Sequence, residues 1–328
     1  MLFRSFYQGG EIKGSGDKWS FLGSDGRRHD ISTSPVRDIY FFHEVSASSD
    51  FFRYAGGKNT RLHFLKYGFY QTTFIPALSK PDSGVILKQY KAWKDPVIRL
   101  TIAKRIVEGE ISAAHRVWKD TYESADLLRR LESVSSVEEV RAVEAEGMKR
   151  FWSLYRTEFP DFVGRIYNPP PDIYNAAVSM AYAHLYGAAF TALKLAGLDP
   201  RIGYLHENRF RTYVLHLDMA DIYKPLVASF AIDLIKKGVL HKRHFHKMGI
   251  GVFLSDRGRK RFLNYWDDFL RNRTGWCGKY SFLVMMVRDA RDLRGFLVSG
   301  KKPWTPCVIG GGDIPCLSYL PTMSTRKG

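Results

Sequence analysis

The side chains best suited to chemistry in this sequence are a few acids and one imidazole. Asp218 and Asp221 stand three apart in the run Leu217-Asp-Met-Ala-Asp-Ile-Tyr-Lys-Pro225, a spacing that puts both carboxylates on one face of a helix's first turn. His206 closes the run Gly203-Tyr-Leu-His206, and Glu146 lies in a charged helical stretch from Val143 to Trp152. Singly, each has an ordinary structural explanation: helix-dipole stabilisation for the aspartates, a hydrogen-bonded loop position for His206, a solvated helix face for Glu146. Together they make an oxygen-rich set with one imidazole and no thiolate nearby in sequence, which suits Mg²⁺ or Mn²⁺ better than zinc. The chain carries 50 Lys and Arg against 33 Asp and Glu, a net charge of +17. A hard-metal site in so basic a protein points to phosphodiester chemistry on a polyanionic partner.

The elements that must position these groups change period along the chain. The 328 residues suit about two domains. A 45% hydrophobic and 14% aromatic content supports a buried core and excludes a disordered, collagen-like or low-complexity protein. Short alternating runs at Leu2–Tyr7, Lys18–Leu22, Val36–Phe42, Arg61–Leu65 and Phe69–Ile75 read as strands, with Asp25-Gly26 and Gly56-Gly57 as turns. From Val85 the apolar spacing becomes helical: Val85–Glu108, Ala113–Leu131, Val137–Tyr155, Tyr174–Ala196, Met219–Lys237, Ser255–Arg271 and Cys277–Leu297. Asp95-Pro96 fits a cap followed by a first-turn proline, and Ser255 caps another helix start. The expected class is α+β. A small β-rich N-terminal domain spans 1–78, a linker 79–84, a larger, mostly α-helical catalytic domain 85–300, and an irregular tail 301–328.

Three cysteines, Cys277, Cys307 and Cys316, form no disulfide framework and suit a reducing cytoplasm. The N-terminus lacks the unbroken apolar core of a signal peptide. Ala176–Gly197 is the nearest approach to a membrane span, but His184, Lys194 and many alanines make it a buried helix instead. Between His241 and Arg273, nine Lys or Arg face three Asp, interleaved with Phe262, Tyr265 and Trp266. Beside a phosphodiester site this run reads as a DNA backbone track, with Lys242, Arg243, Arg257, Arg259, Lys260 and Arg261 as its contacts. His241, His244 and His246 lack the partners of a zinc site, and Gly310-Gly311-Gly312 lacks the ending of a phosphate loop.

Three runs carry a resemblance: Arg165-Ile-Tyr-Asn-Pro-Pro-Pro-Asp-Ile-Tyr-Asn175, Gly197-Leu-Asp-Pro-Arg-Ile-Gly-Tyr-Leu-His206, and Leu217 to Leu226. With Glu146-Gly147 and Leu254–Phe262, they resemble the CRISPR-associated adaptation integrase, the large metal-dependent nuclease-integrase that inserts spacers into CRISPR arrays. The resemblance implies a β-rich dimerising domain and a helical catalytic domain. It implies Mg²⁺ or Mn²⁺ held by Glu146, His206 and Asp221, with Asp218 and Asn175 supporting them and Arg165 and Lys224 near the DNA. Where many members carry Glu-Pro-Phe-Arg, this chain has Asp221-Ile222-Tyr223-Lys224, so a point-charge lysine replaces a bidentate arginine. The implied reaction is direct transesterification on double-stranded and branched DNA, with a small partner subunit bridging two homodimers. A standalone structure-specific endonuclease and a non-catalytic basic scaffold are the competing readings, separated from it by metal-dependent strand transfer. Phe41, Phe42, Phe51 and Phe52 are expected to be exposed and to mark the dimer interface.

Overall fold

The computed structural model describes residues 3–6, 8–31, 38–58, 60–66, 69–74, 82–207, 213–271, 281–300 and 303–309. The N-terminal part contains two four-stranded sheets. One orders β1 (Phe3–Phe6), β5 (Asp38–Phe41), β7 (Arg61–Lys66) and β8 (Phe69–Phe74) as β1-β5-β7-β8, parallel except for the β7–β8 hairpin. The other orders β4 (Arg28–Asp30), β3 (Lys18–Gly23), β2 (Gly10–Ser15) and β6 (Val45–Ala47) as β4-β3-β2-β6. A short helix α1 (Ser49–Gly57) packs with them.

Alternation along β5 explains how the sheets join the rest. Ile39 and Phe41 point into a local core with Phe6, Trp19, Phe21 and Phe51, whereas Tyr40 and Phe42 belong to the large helical core. Both faces of this strand are therefore covered. The expectation of exposed aromatics at Phe41, Phe42 and Phe51 fails for that reason: all three are buried, and Phe52 is half-buried.

The helical part comprises α2 (Ser83–Lys94), α3 (Pro96–Trp118), α4 (Ala125–Ser133), α5 (Val137–Glu158), α6 (Ile173–Leu195), α7 (Leu215–Asp221), α8 (Lys224–Lys236), α9 (Asp256–Arg271) and α10 (Phe282–Ser299). Asp95 separates α2 from α3 by accepting from the backbone of Val97 (2.9 Å) and Ile98 (3.1 Å), with Pro96 in the first turn. The sequence reading starts a new helix at Ala113. Instead α3 continues unbroken to Trp118, because Val107 and Ile111 extend the stripe of Ile102 and Ile106. The expected helix Met219–Lys237 is divided at Ile222-Tyr223, since Pro225 supplies no N–H and opens α8. Ser255 accepts from the Gly258 amide (3.2 Å), as its role as a cap requires. Of the expected linker, 79–81 lie outside the described residues, and Asp82 already caps α2.

Helix α6 is the hub of the helical part, burying most of its residues against α7, α8 and α10. Among the described residues no helix is long and apolar enough to cross a membrane. Within the expected irregular tail, 303–309 is ordered: Trp304 and Val308 are buried, and Arg116 donates to the Val308 carbonyl (2.8 Å). Residues 301–302 and 310–328, with Cys316 and the Gly310-Gly311-Gly312 turn, lie outside the described residues, as does Cys277.

Candidate active site

The loop that carries His206 is wrapped around one carboxylate. Asp218 Oδ2 accepts from the amides of Tyr204 (2.6 Å) and Leu205 (3.1 Å); Oδ1 accepts from the His206 amide (3.1 Å) and lies 2.8 Å from His206 Nδ1. Gly203 permits this approach, because a Cβ there would stand 2.5 Å from Val214 Cγ1 and 3.0 Å from Asp218 Oδ2. One helical turn on, Asp221 Oδ2 lies 3.5 Å from the same Nδ1, and Asp221 is ion-paired with Lys224 at the start of α8. Burial opposes charge on His206, but the Asp218 hydrogen bond and the Asp221 charge outweigh it and raise its pKa above the ordinary imidazole value.

A second hub fixes Arg165. The buried Asn175, in the first turn of α6, accepts from the Ile166 amide (2.9 Å) and Arg165 Nη1 (3.0 Å), and donates to the Gly164 carbonyl (2.8 Å) and Asp172 (2.7 Å). The Arg165 guanidinium then lies 5.4 Å from the Tyr182 ring centroid, and the Lys224 ammonium lies 6.0 Å from the same ring and from that of Tyr186. The site is thus lined by two cations held over aromatic faces.

Two further acids converge here that the sequence reading missed. Glu144 of α5 is held above the usual carboxylate range by burial and by the Asp221 charge, with Lys224 and His206 pulling the other way. Its face of α5 is fixed independently by Arg141, one turn earlier, which reaches Glu207 beside His206 (3.4 Å). Glu110 of α3 is buried, and among the described residues neither of its carboxyl oxygens has a hydrogen-bond partner. Burial first, then the Glu144 and Asp221 charges, push it well above the carboxylate range.

The structure does not bring Glu146 to this cluster, which corrects the expectation. Two residues turn an α-helix by about 200°, so Glu146 faces away from Glu144. Its carboxylate is held 3.1 Å from Arg150, which also makes a bidentate pair with Asp126 (2.8 Å to each oxygen). The signal that separates the two acids lies in the buried stripe Val140, Val143, Gly147 and Phe151, whereas the Glu-Gly pair taken alone points to the other face. Glu110 has no local signal beyond being an acid within an apolar stripe.

A family model described as CRISPR associated protein Cas1 matches residues 6–268. The chain belongs to the Cas1 family. The CRISPR-associated endonuclease Cas1 of Methanocaldococcus jannaschii is 31% identical over 72% of this chain and 76% of its own length. A solved Cas1 protein from Thermotoga maritima superposes with a TM-score of 0.83 at 25% identity, covering 90% of this chain and 97% of that one. A casposase solved with its integration product shares the fold at a TM-score of 0.83 and 21% identity, covering 95% and 94%.

Two basic residues expected near the DNA are turned inward in this Cas1-family chain. Arg259 is buried, donating to the Leu254 carbonyl (2.9 Å) and pairing with Asp256, and Lys224 is committed to Asp221. Lys242, Arg243, Arg257 and Lys260 are exposed, and Arg261 is half-buried.

Whether the acids suit a divalent cation is decided by their surroundings. Glu110, Glu144, Asp218 and Asp221 lie about Lys224 and His206, and burial together with their mutual charge holds Glu110 and Glu144 above the usual carboxylate range. The donor set fits a hard cation. Among the described residues no three His, Cys, Asp or Glu converge as a finished chelate in this side-chain arrangement, in which Lys224 sits on Asp221.

Proposed function

We propose that this chain is the metal-dependent integrase and endonuclease of CRISPR adaptation. It joins the 3′-hydroxyl ends of new spacer DNA to the array by transesterification, and with the reaction reversed it cleaves branched DNA. The observation that carries this reading is the buried acid cluster beneath His206 in a chain of Cas1 sequence. Glu144, His206 and Asp221 would hold a Mg²⁺ or Mn²⁺ ion, Glu144 taking the place expected of Glu146. Bound there, the ion supplies activation of the attacking hydroxyl and neutralisation of charge developing on the phosphate.

The protein's own groups orient the rest. Asp218 holds His206 as the Nδ1–H tautomer, leaving Nε2 with its lone pair, while three backbone amides fix the loop. Arg165, preset by Asn175 and Ser179 (3.0 Å from Nη2), offers a planar cation to a phosphate oxygen. The bond from phosphorus to the incoming 3′ oxygen forms as the bond to the array's own 3′ oxygen breaks, without a covalent protein intermediate.

The partners that go with this reading are double-stranded and branched DNA, a second copy of the chain, and a small partner subunit of the adaptation complex, in the cytoplasm. The deciding assay incubates the purified chain with Mn²⁺ or Mg²⁺ and a branched DNA that imitates a half-integrated spacer. Resealed and released strands that appear only with metal support it; DNA binding with no strand chemistry under either metal overturns it. Light scattering tests the homodimer, which a monomer at micromolar concentration would refute.

A further inference from the structure

Within the basic stretch that the sequence reading took as a DNA backbone track stands a two-stranded hairpin, β9 (Phe245–Met248) and β10 (Gly251–Leu254), paired Met248 to Gly251 through Phe245 to Leu254. Its base is locked. The amide and hydroxyl of Ser255 both donate to the His244 carbonyl (2.9 and 3.1 Å). Its buried strand β10 is tied to the loop before α6, where the Val252 amide donates to the Pro170 carbonyl (2.8 Å). Gly251 makes this close approach possible, since a Cβ there would stand 2.8 Å from Pro169.

The tip has an unusual composition for a surface turn. Ile250 is 86% exposed and Met248 48%, and on the neighbouring loop Tyr167 is 70% exposed. Large apolar side chains gathered at the end of a hairpin, beside an exposed aromatic, form the apolar part of this surface. The surroundings are cationic: Lys242, Arg243, Lys247 and Arg257 are all exposed on the hairpin and its flanks. The tip is also connected to the site, because the loop that accepts from Val252 carries Arg165.

Resting on the functional reading above, we propose that the Met248-Gly249-Ile250 tip is an apolar wedge for DNA, entering the base stack at a duplex–single-strand junction while the flanking lysines and arginines hold the phosphates. Charge complementarity selects DNA over an apolar protein surface, and a rigid apolar projection inside a basic rim is the combination with which proteins part stacked bases. Phosphate contacts alone carry no preference for a junction. The wedge therefore gives this chain a means of recognising branched over continuous duplex DNA next to the reacting strand.

The test uses the full chain in EDTA, so that no chemistry occurs, with a forked DNA carrying 2-aminopurine at the first paired position of the fork and a continuous duplex of equal length. Wild-type protein should bind the fork about tenfold more tightly than the duplex and raise the 2-aminopurine fluorescence, a gap equivalent to about 1.4 kcal/mol. Met248→Ser with Ile250→Ser, folded by circular dichroism, should lose the fluorescence rise and bring the two affinities within about twofold, with duplex affinity and its salt slope unchanged. A double variant that keeps fork preference and fluorescence overturns the wedge alone. So does one that loses duplex affinity in proportion, or that changes oligomeric state in light scattering, which would make the tip a protein contact. Wild-type protein that binds neither DNA overturns the functional reading together with the wedge.

Discussion

Replacing Asp218 by Asn tests how the site is organised, because the change removes a charge and leaves the volume. In the wild type its two oxygens accept from three backbone amides and orient His206. The Asn oxygen can still serve one pair of donors. If it takes Tyr204 and Leu205, its NH₂ group faces the His206 amide, two donors in opposition, and donates to Nδ1. The imidazole then carries its proton on Nε2, where a cation would bind. Losing a partner behind a metal-binding histidine typically costs about 10–100-fold in affinity or activity. The stability cost follows from one amide left unpaired in a buried place, about 1–3 kcal/mol. Asp218→Ala leaves three amides unpaired, so about 3 kcal/mol or more is expected even at the low end of that range.

The assay is strand transfer on a branched substrate across a Mn²⁺ titration, with thermal unfolding in parallel. Asp218→Asn should remain folded, lose about 10–100-fold in rate at moderate metal concentration and recover part of it at high concentration, whereas Asp218→Ala should unfold at clearly lower temperature. The resemblance gives Asp218 the lesser role behind the three ligands; the four bonds make it the group that holds the His206 loop. Full activity of Asp218→Asn at every metal concentration would refute that placement of His206's proton.

Glu144→Ala should abolish strand transfer with folding intact, while Glu146→Ala should stay within a few-fold of wild type and lose no more than about 1 kcal/mol, the worth of a partly exposed pair with Arg150; the reverse pattern would restore Glu146 to the site. Burial pushes Asp289 up to about 6, partly countered by its bonds to the Cys307 amide (2.9 Å) and the Tyr223 hydroxyl. Against an ordinary value near 3.8 that corresponds to about 3 kcal/mol of stability present at acid pH and lost as pH rises through 6. Chemical denaturation of Asp289→Asn and wild type at pH 4 and pH 7 should show this change in their difference, and a pH-independent difference would exclude it. Gln at Lys242, Arg243, Arg257 and Lys260 together should flatten the dependence of log affinity on log salt, by up to about 0.9 for each duplex phosphate that is no longer neutralised; an unchanged slope would move the DNA path elsewhere.

The change from strands to helices, the Asp95-Pro96 break and the buried run of α6 are legible because each is written in local chemistry: period, cap and composition. The site is legible as residue types and only partly as geometry. His206, Asp218 and Asp221 come together because Gly203 lets the loop fold over α7, an approach between segments about a dozen residues apart. Glu146 is misplaced by the sequence reading because a two-residue Glu-Gly pattern carries no information about which side of α5 faces the loop, whereas the ion pair of Arg141 with Glu207 does. Arg259 looks like one more surface cation in a basic run, yet helical phase turns it under the hairpin toward the Leu254 carbonyl. Phe41 and Phe42 look exposed because a strand with alternating aromatics does not reveal that both of its faces are covered.

The most informative departure from the sequence reading is Glu110, since nothing local requires an acid there. It sits on α3 among the buried Ile106, Val107 and Ile111, and among the described residues neither of its oxygens finds a donor. A buried carboxyl without partners destabilises a fold unless it holds a proton or faces a cation. Lys224 supplies one positive charge to the cluster and already answers Asp221. Burial first, and then the charges of Glu144 and Asp221 on Glu110 and of Asp221 on Glu144, hold both acids above the usual carboxylate range, so a proton on an acid or added positive charge beside it relieves the cluster. On the proposed reading, a divalent cation would answer the acids of this cluster, which α3, α5 and α7 enclose and which meets solvent at His206.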